Sequence, residues 1–327
     1  MKLSNLLFFV SYAIIVKGDT MRRFLWGCFF VCLIGIILVN KDEIANFILS
    51  NYYTDEVAYF DEPNEYFKSI DYSFVQNTDS LYPSSRQDIL NIIYSSLNRG
   101  SDSVTFYCDS HYSSCIDDVN DIAENSLYLS TINNLVHPFN SYSNIHFTIN
   151  TYGKVSIDIS RNYSDADILL VNNKIDEIMD SIITDDMSVY DKILVFHDYI
   201  VNNTVYDNSV NINNQMSSDT NSNNALGLLY ENKAICSGYS DTMAIFLSRL
   251  GLNNYRISSD LHIWNLVFFE NEWKHIDITW DDPVTNNGVD VLLHDFFLID
   301  TDELFEKEKL YEKDNHSFDK RLYLEAL

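Results

Sequence analysis

Cys236, His262 and Asp277 lie within one stretch of this 327-residue chain, ENKAICSGYSDTMAIFLSRLGLNNYRISSDLHIWNLVFFENEWKHIDITWDDP (231–283). Their types suit acyl transfer. A thiol attacks an amide carbonyl as the thiolate, so it needs a neighbouring base, and an imidazole can take that proton and later hand it to the leaving amine. A carboxylate behind the imidazole fixes its tautomer and orientation and favours the imidazolium. Taken singly, each residue also has an ordinary reading. Cys236 fits a buried apolar stripe, His262 an edge strand, and Asp277 the acidic cluster with Asp281 and Asp282.

The elements that must position these residues can be read from periodicity. Cys236, Tyr239, Met243, Phe246 and Leu250 recur at helical spacing, and Gly251 stops the helix. Cys236 then occupies the first turn, where unpaired N–H groups and the helix dipole favour an anion. Segments 261–269 and 273–280 read as the two strands of a hairpin. With Glu270-Asn271 as a two-residue turn, Phe269 pairs with Glu272 and His262 lies opposite Thr279. Asp277 becomes a diagonal neighbour on the same face, about 7–8 Å away. A turn shifted by one residue would part the two side chains.

Further upstream, RQDILNIIYSSL predicts a helix ending at Gly100, and residues 103–108 alternate as a strand. IHFTINTYGKVSIDIS predicts a hairpin in which Ile149 pairs with Val155, Phe147 with Ile157 and Ile145 with Ile159. Gly153 supplies the positive φ of its Thr151–Gly153 loop. Ser164 and Ser188 are candidate N-caps of two amphipathic helices, and 202–224 reads as a long Asn/Ser-rich surface loop.

Three ordered motifs, AICSGYS around Cys236, HIWN at His262 and WKHIDITWDDP with Asp277, resemble the transglutaminase-like superfamily. Ala234 stands where that family usually has Gly, and Ile263 where it has a small residue. KILVFHDYIVNNTVYD (192–207) and ALGLLYENKAIC (225–236) are similar to the bacterial branch. The resemblance covers residues 165–318. It implies a papain-like fold with Cys236 as nucleophile, His262 as general base and acid, and Asp277 as the orienting carboxylate. It also implies a structural role for His197-Asp198. The Cys236 backbone N–H is the oxyanion donor suggested by position; the sequence names no side-chain donor. Trp264 and Trp280 read as core residues.

With 48 Asp+Glu against 21 Lys+Arg, the net charge of −27 repels phosphate backbones and excludes general nucleic-acid binding. A hydrophobic content of 46%, with 22 Tyr and 20 Phe, is too apolar for a disordered chain. At the N-terminus, 3–16 is a short apolar stretch. Segment 24–39, FLWGCFFVCLIGIILV after Arg22-Arg23, reads as an uncleaved transmembrane signal anchor with the remainder outside. A cleaved signal peptide competes, although no small-x-small cleavage pattern follows Val39. Met21 opens a cleaner anchor than Met1, so residues 1–20 read equally as a mis-assigned start.

Cys108 and Cys115 are close enough in TFYCDSHYSSC to close a disulfide in an oxidising compartment; His111 between them leaves a metal reading open. The expected class is α+β. Its organisation is an N-terminal segment (1–23), the anchor (24–39), an acidic lead-in or stalk (40–85) and a β-rich subdomain (86–160). A transglutaminase-like domain (161–318) and a tail (319–327) follow.

The leading function is a membrane-anchored thiol enzyme with an extracellular domain. It would act on peptide or protein amide bonds, by hydrolysis in preference to crosslinking because nothing marks a lysine-binding tunnel. No cofactor or metal is expected. A surface binding or scaffold module of the same fold is the alternative from another class. A metal-dependent hydrolase lacks a paired-His motif such as HExxH.

Overall fold

The computed structural model describes residues 19–41, 59–150, 153–210, 221–283 and 291–327. Contacts divide the chain into two units, 1–57 and 58–327. In the first unit one helix, α1 (Asp19–Val39), carries the apolar segment. Its sixteen uncharged residues make only about 24 Å of helix, against about 30 Å of bilayer hydrocarbon. Among the described residues no helix is long and apolar enough to cross a membrane. The expected transmembrane anchor at 24–39 is therefore not supported. The apolar stretch 3–16 and most of the lead-in, 42–58, lie outside the described residues.

The second unit opens with chain that lacks regular elements yet is packed. Tyr72, Val75 and Leu81 are buried, so 59–85 is part of the core and not a stalk. Side chains satisfy its backbone. Asn98 Nδ2 donates to Lys68 O at 2.7 Å, and Lys68 N donates to Asn98 Oδ1 at 3.0 Å. Helix α2 (Arg86–Arg99) starts at Ser85, which accepts from Asp88 N, and stops at Gly100 with φ 75°. Strand β1 (Ser103–Tyr107) follows. Cys108 is then disulfide-bonded to Cys115, the first residue of α3 (Cys115–Glu124). With both sulfurs committed, the metal reading that used His111 loses its thiolates.

Helix α4 (Ser126–Leu135) leads to the hairpin β2 (Tyr142–Ile149) and β3 (Lys154–Arg161). Its register is the expected one, Ile149 with Val155, Phe147 with Ile157 and Ile145 with Ile159. Gly153 has φ 80°, while Thr151 and Tyr152 lie outside the described residues. Strand β1 pairs with the other edge of β3, giving the order β1-β3-β2. Val155, Ile157 and Ile159 face the core.

Helices α5 (Asp165–Ile182) and α6 (Val189–Asn203) both begin with capping boxes, Ser164 with Asp167 and Ser188 with Asp191. Strand β4 (Val205–Tyr206) pairs in parallel with β5 (Lys233–Ala234), on either side of α7 (Ala225–Glu231). Residues 211–220 of the Asn-rich loop lie outside the described set. Helix α8 (Cys236–Arg249) then packs on an antiparallel sheet of β6 (Asn254–Ser258), β7 (Ile263–Phe269), β8 (Glu272–Ile276) and β9 (Phe297–Ile299). Phe196 of α6 stacks on Phe246 of α8 at 3.7 Å between centroids.

The β7–β8 register is as expected, Phe269 opposite Glu272, with Glu270 and Asn271 both at positive φ. The second strand is shorter than expected, however. It ends at Ile276, and Asp277 caps the short helix α9 (Ile278–Asp281) by accepting from Trp280 N at 3.3 Å. An aspartate that binds its own downstream N–H competes with the ladder and ends the strand. Helix α10 (Thr301–Leu310) and the chain after it close the unit. Leu322, Tyr323 and Ala326 are buried, so 319–327 is not a free tail.

Candidate active site

Cys236 is the first residue of α8, and no side chain caps that helix end. The approach to it is fixed by close backbone packing. Ile235 N donates to Ser222 O at 2.8 Å. A Cβ on Gly238 would lie 2.7 Å from the same Ser222 oxygen and 2.9 Å from Ala234 Cβ, so only glycine fits without displacing the loop. Ser222 is held in turn by Asp207, which accepts from Ser222 Oγ at 2.6 Å and pairs with Lys233 at 2.8 Å.

His262 stands just before β7, its backbone N–H donated to Ser259 Oγ at 3.1 Å. Its ring stacks on Trp264 at 5.7 Å. Trp264 is itself fixed by donating Nε1–H to His275 Nδ1 at 2.9 Å. Asp277, at the end of β8, brings Oδ2 to 2.5 Å from His262 Nε2. The Cys236 side chain also acts on the His262 ring and favours its charged form. With Nε2 committed to Asp277, Nδ1 is the nitrogen left for the thiol.

Burial by itself would lower the His262 pKa. The charge and hydrogen bond of Asp277, with a smaller contribution from Cys236, outweigh burial and raise it to about 10. For Asp277 burial pushes upward, but the charge of His262 and hydrogen bonds from His262 and His316 hold it well below the usual carboxylate range.

Two residues join this site that sequence reasoning missed. His316 is fully buried. Its Nε2 lies 2.8 Å from Asp277 Oδ2, and its Nδ1 lies 2.9 Å from Glu308 Oε1. The Asp277 carboxylate thus meets two imidazoles and the Trp280 N–H. Tyr206, in β4, is the other. Burial raises its pKa to about 12, and the charges of Cys236, Asp277 and Asp207 add to that. In the β4–β5 pairing Tyr206 lies opposite Ala234, two residues before the thiol. The sequence did carry a signal for it: Tyr206 sits in the NTVYD segment already singled out.

His197-Asp198 lies at the other end of α9. His197 Nδ1 is 3.0 Å from Asp198, and Nε2 is 3.2 Å from the buried Asp281. Trp264 is buried in the core, while Trp280 is half-buried with its ring near Phe296 and His316. Among the described residues two groups have metal-ligand spacing: His262, Asp277 and His316, and His197, Asp198 and His294. The first is wholly buried, with one carboxylate oxygen already shared by both rings.

Cys236 at a helix N-terminus thus packs with an antiparallel sheet whose β7–β8 hairpin is flanked by His262 and Asp277, within an α+β fold. No family model matches the chain, and no curated protein matches it. Among solved structures, a TGase crystal structure is 19% identical over 46% of this chain and 46% of its own, with a TM-score of 0.33. A putative cysteine protease from Cytophaga hutchinsonii is 15% identical over 46% of this chain and 65% of its own, with a TM-score of 0.27. The chain thus spans less than two thirds of either.

Proposed function

We propose that this protein is a cysteine-dependent acyl-transfer enzyme acting on peptide or protein amide bonds. The observation that carries the reading is the His262 ring, hydrogen-bonded to buried Asp277 at 2.5 Å, with Cys236 at the uncapped start of α8 adding to the rise in its pKa. Cys236 gives its proton to His262, and the thiolate attacks the amide carbonyl. The carbon–nitrogen bond breaks, the amine leaves with the His262 proton, and a thioester remains on Cys236. His262 then takes a proton from water, which attacks the thioester; the carbon–sulfur bond breaks and the thiol is restored. Asp277 holds the ring through both halves. The Cys236 N–H, at an uncapped helix end, and the Tyr206 hydroxyl serve the tetrahedral oxyanion.

Hydrolysis is the favoured outcome, with no cofactor called on. A chain of net charge −27 favours basic or neutral substrates. The Cys108–Cys115 disulfide supports work in an oxidising compartment, outside the cytosol. The test is mass spectrometry of a glutamine peptide incubated with the protein and a primary amine. Cleavage or deamidation is expected. Gain of the amine makes the protein a transferase, and an unchanged peptide pool across a broad substrate library favours a binding module.

A further inference from the structure

At the far end of α9 three donor atoms converge without any part in the thiol chemistry. Asp198 Oδ1 lies 3.0 Å from His197 Nδ1 and 2.7 Å from His294 Nε2. We infer that His197, Asp198 and His294 bind a divalent transition metal, Zn²⁺ being the best match, with Asp281 orienting His197 from behind.

The bland alternative is a hydrogen-bonded His–Asp–His trio, and three features argue beyond it. The first is orientation. Asp281 is completely buried; its Oδ2 takes His197 Nε2 at 3.2 Å, and its two oxygens accept the Phe296 N–H at 3.0 and 3.3 Å. A carboxylate locked in this way fixes the imidazole and turns Nδ1 toward Asp198 and His294, the carboxylate–histidine–metal relation of zinc sites. The second is charge. Among the described residues the ion-pair partners of Asp198 and Asp281 are His197 and His294, with no lysine or arginine. A divalent cation would balance both carboxylates with the rings neutral.

The third is access. The Asp198 and His294 side chains are 31% and 43% exposed, which leaves room for a metal to enter and for water as a fourth ligand. Two imidazoles and one carboxylate suit zinc and its neighbours. Calcium and magnesium take oxygen ligands. Because α9 (Ile278–Asp281) is capped by Asp277 and ends at Asp281, a metal here would also brace the helix that the active-site carboxylate caps. The site stands independently of the proposed reaction.

The test measures Zn²⁺ stoichiometry and Co²⁺ visible absorption on the full chain above neutral pH, for wild type and for His294→Ala. His294 is exposed, so its loss leaves the core intact. Wild type should bind one more equivalent than the variant, show cobalt d–d bands that the variant lacks, and melt at a higher temperature with Zn²⁺ when the variant does not. Asp281→Asn should weaken Zn²⁺ binding about 10- to 100-fold. Excess Ca²⁺ should not compete. Equal stoichiometry and affinity in wild type and His294→Ala, or no Zn²⁺ binding by wild type, overturns the inference.

Discussion

Helix α9 separates two histidine–carboxylate centres that use the same parts differently. At its start His262 is hydrogen-bonded to Asp277, and Cys236 adds to the pull on its charge. At its end His197 gives both ring nitrogens to carboxylates, Asp198 and Asp281. Both rings are buried, and both pKa values are raised; for His197 too, burial lowers it and hydrogen bonds to Asp198 and Asp281 outweigh that. An imidazole between two carboxylates can hold a charge or a cation but has nothing to activate. An imidazole between a carboxylate and a thiol has a nucleophile to deprotonate. The second partner of the ring, more than its burial or its pKa, separates a structural or metal-binding histidine from a catalytic one.

This contrast can be broken by substitution. The largest effect is expected at Asp277→Asn, which should lower kcat by about 10³- to 10⁴-fold by releasing the wrong His262 tautomer; steady-state turnover checks it. Tyr206→Phe should lower kcat by about 10²-fold with little change in KM, as expected for one lost oxyanion donor. A change confined to KM would remove Tyr206 from that role. His316→Gln should cost less, about tenfold, and shift the pH–rate profile, because one support of Asp277 goes while His262 remains. An unshifted profile would make His316 purely structural. At the other centre, Asp281→Asn should leave Cys236 alkylation close to wild type while lowering stability by about 1–3 kcal/mol through a disrupted buried hydrogen-bond network; denaturant melts measure it.

Much of the first centre was legible because hairpin geometry is local. Period-two alternation and a two-residue turn fix the β7–β8 register, but the expected pairing of His262 with Thr279 fails because Thr279 lies in α9, and His262 meets Asp277 beyond the end of the ladder. The β2–β3 pairing followed from the same logic. What escaped is set by tertiary packing. His316 lies in a charged segment without apolar period and reaches Asp277 only because the chain after α10 folds back over the sheet. Residues 59–85 show no periodicity because Asn side chains, not a helix or ladder, satisfy their backbone. The second strand ends before its sequence pattern does, since Asp277 reads equally as a strand residue or an N-cap, and its bond to Trp280 N decides the matter. Hydropathy points to a span at 24–39, but the apolar run that α1 carries there is too short for one.

Stability against pH sharpens the comparison further. The folded His262 value, about 10, lies above the 6.5 of an unperturbed imidazole. Its contribution is fully present below pH 6.5 and is lost as pH rises toward 10. Asp277 acts in the opposite sense. Its folded value lies below the unperturbed 3.8, so its contribution holds above that pH and is lost on acidification through the folded value. Thermal melts should therefore weaken on the alkaline side, and His262→Ala should flatten that limb.

The most direct test of the central claim is the rate at which iodoacetamide alkylates Cys236 near neutral pH, read by peptide mapping in wild type and in His262→Ala. Reaction faster than that of a free thiol in wild type, slowed by the substitution, is the predicted result. Equal rates in the two proteins would contradict an imidazole-activated thiol.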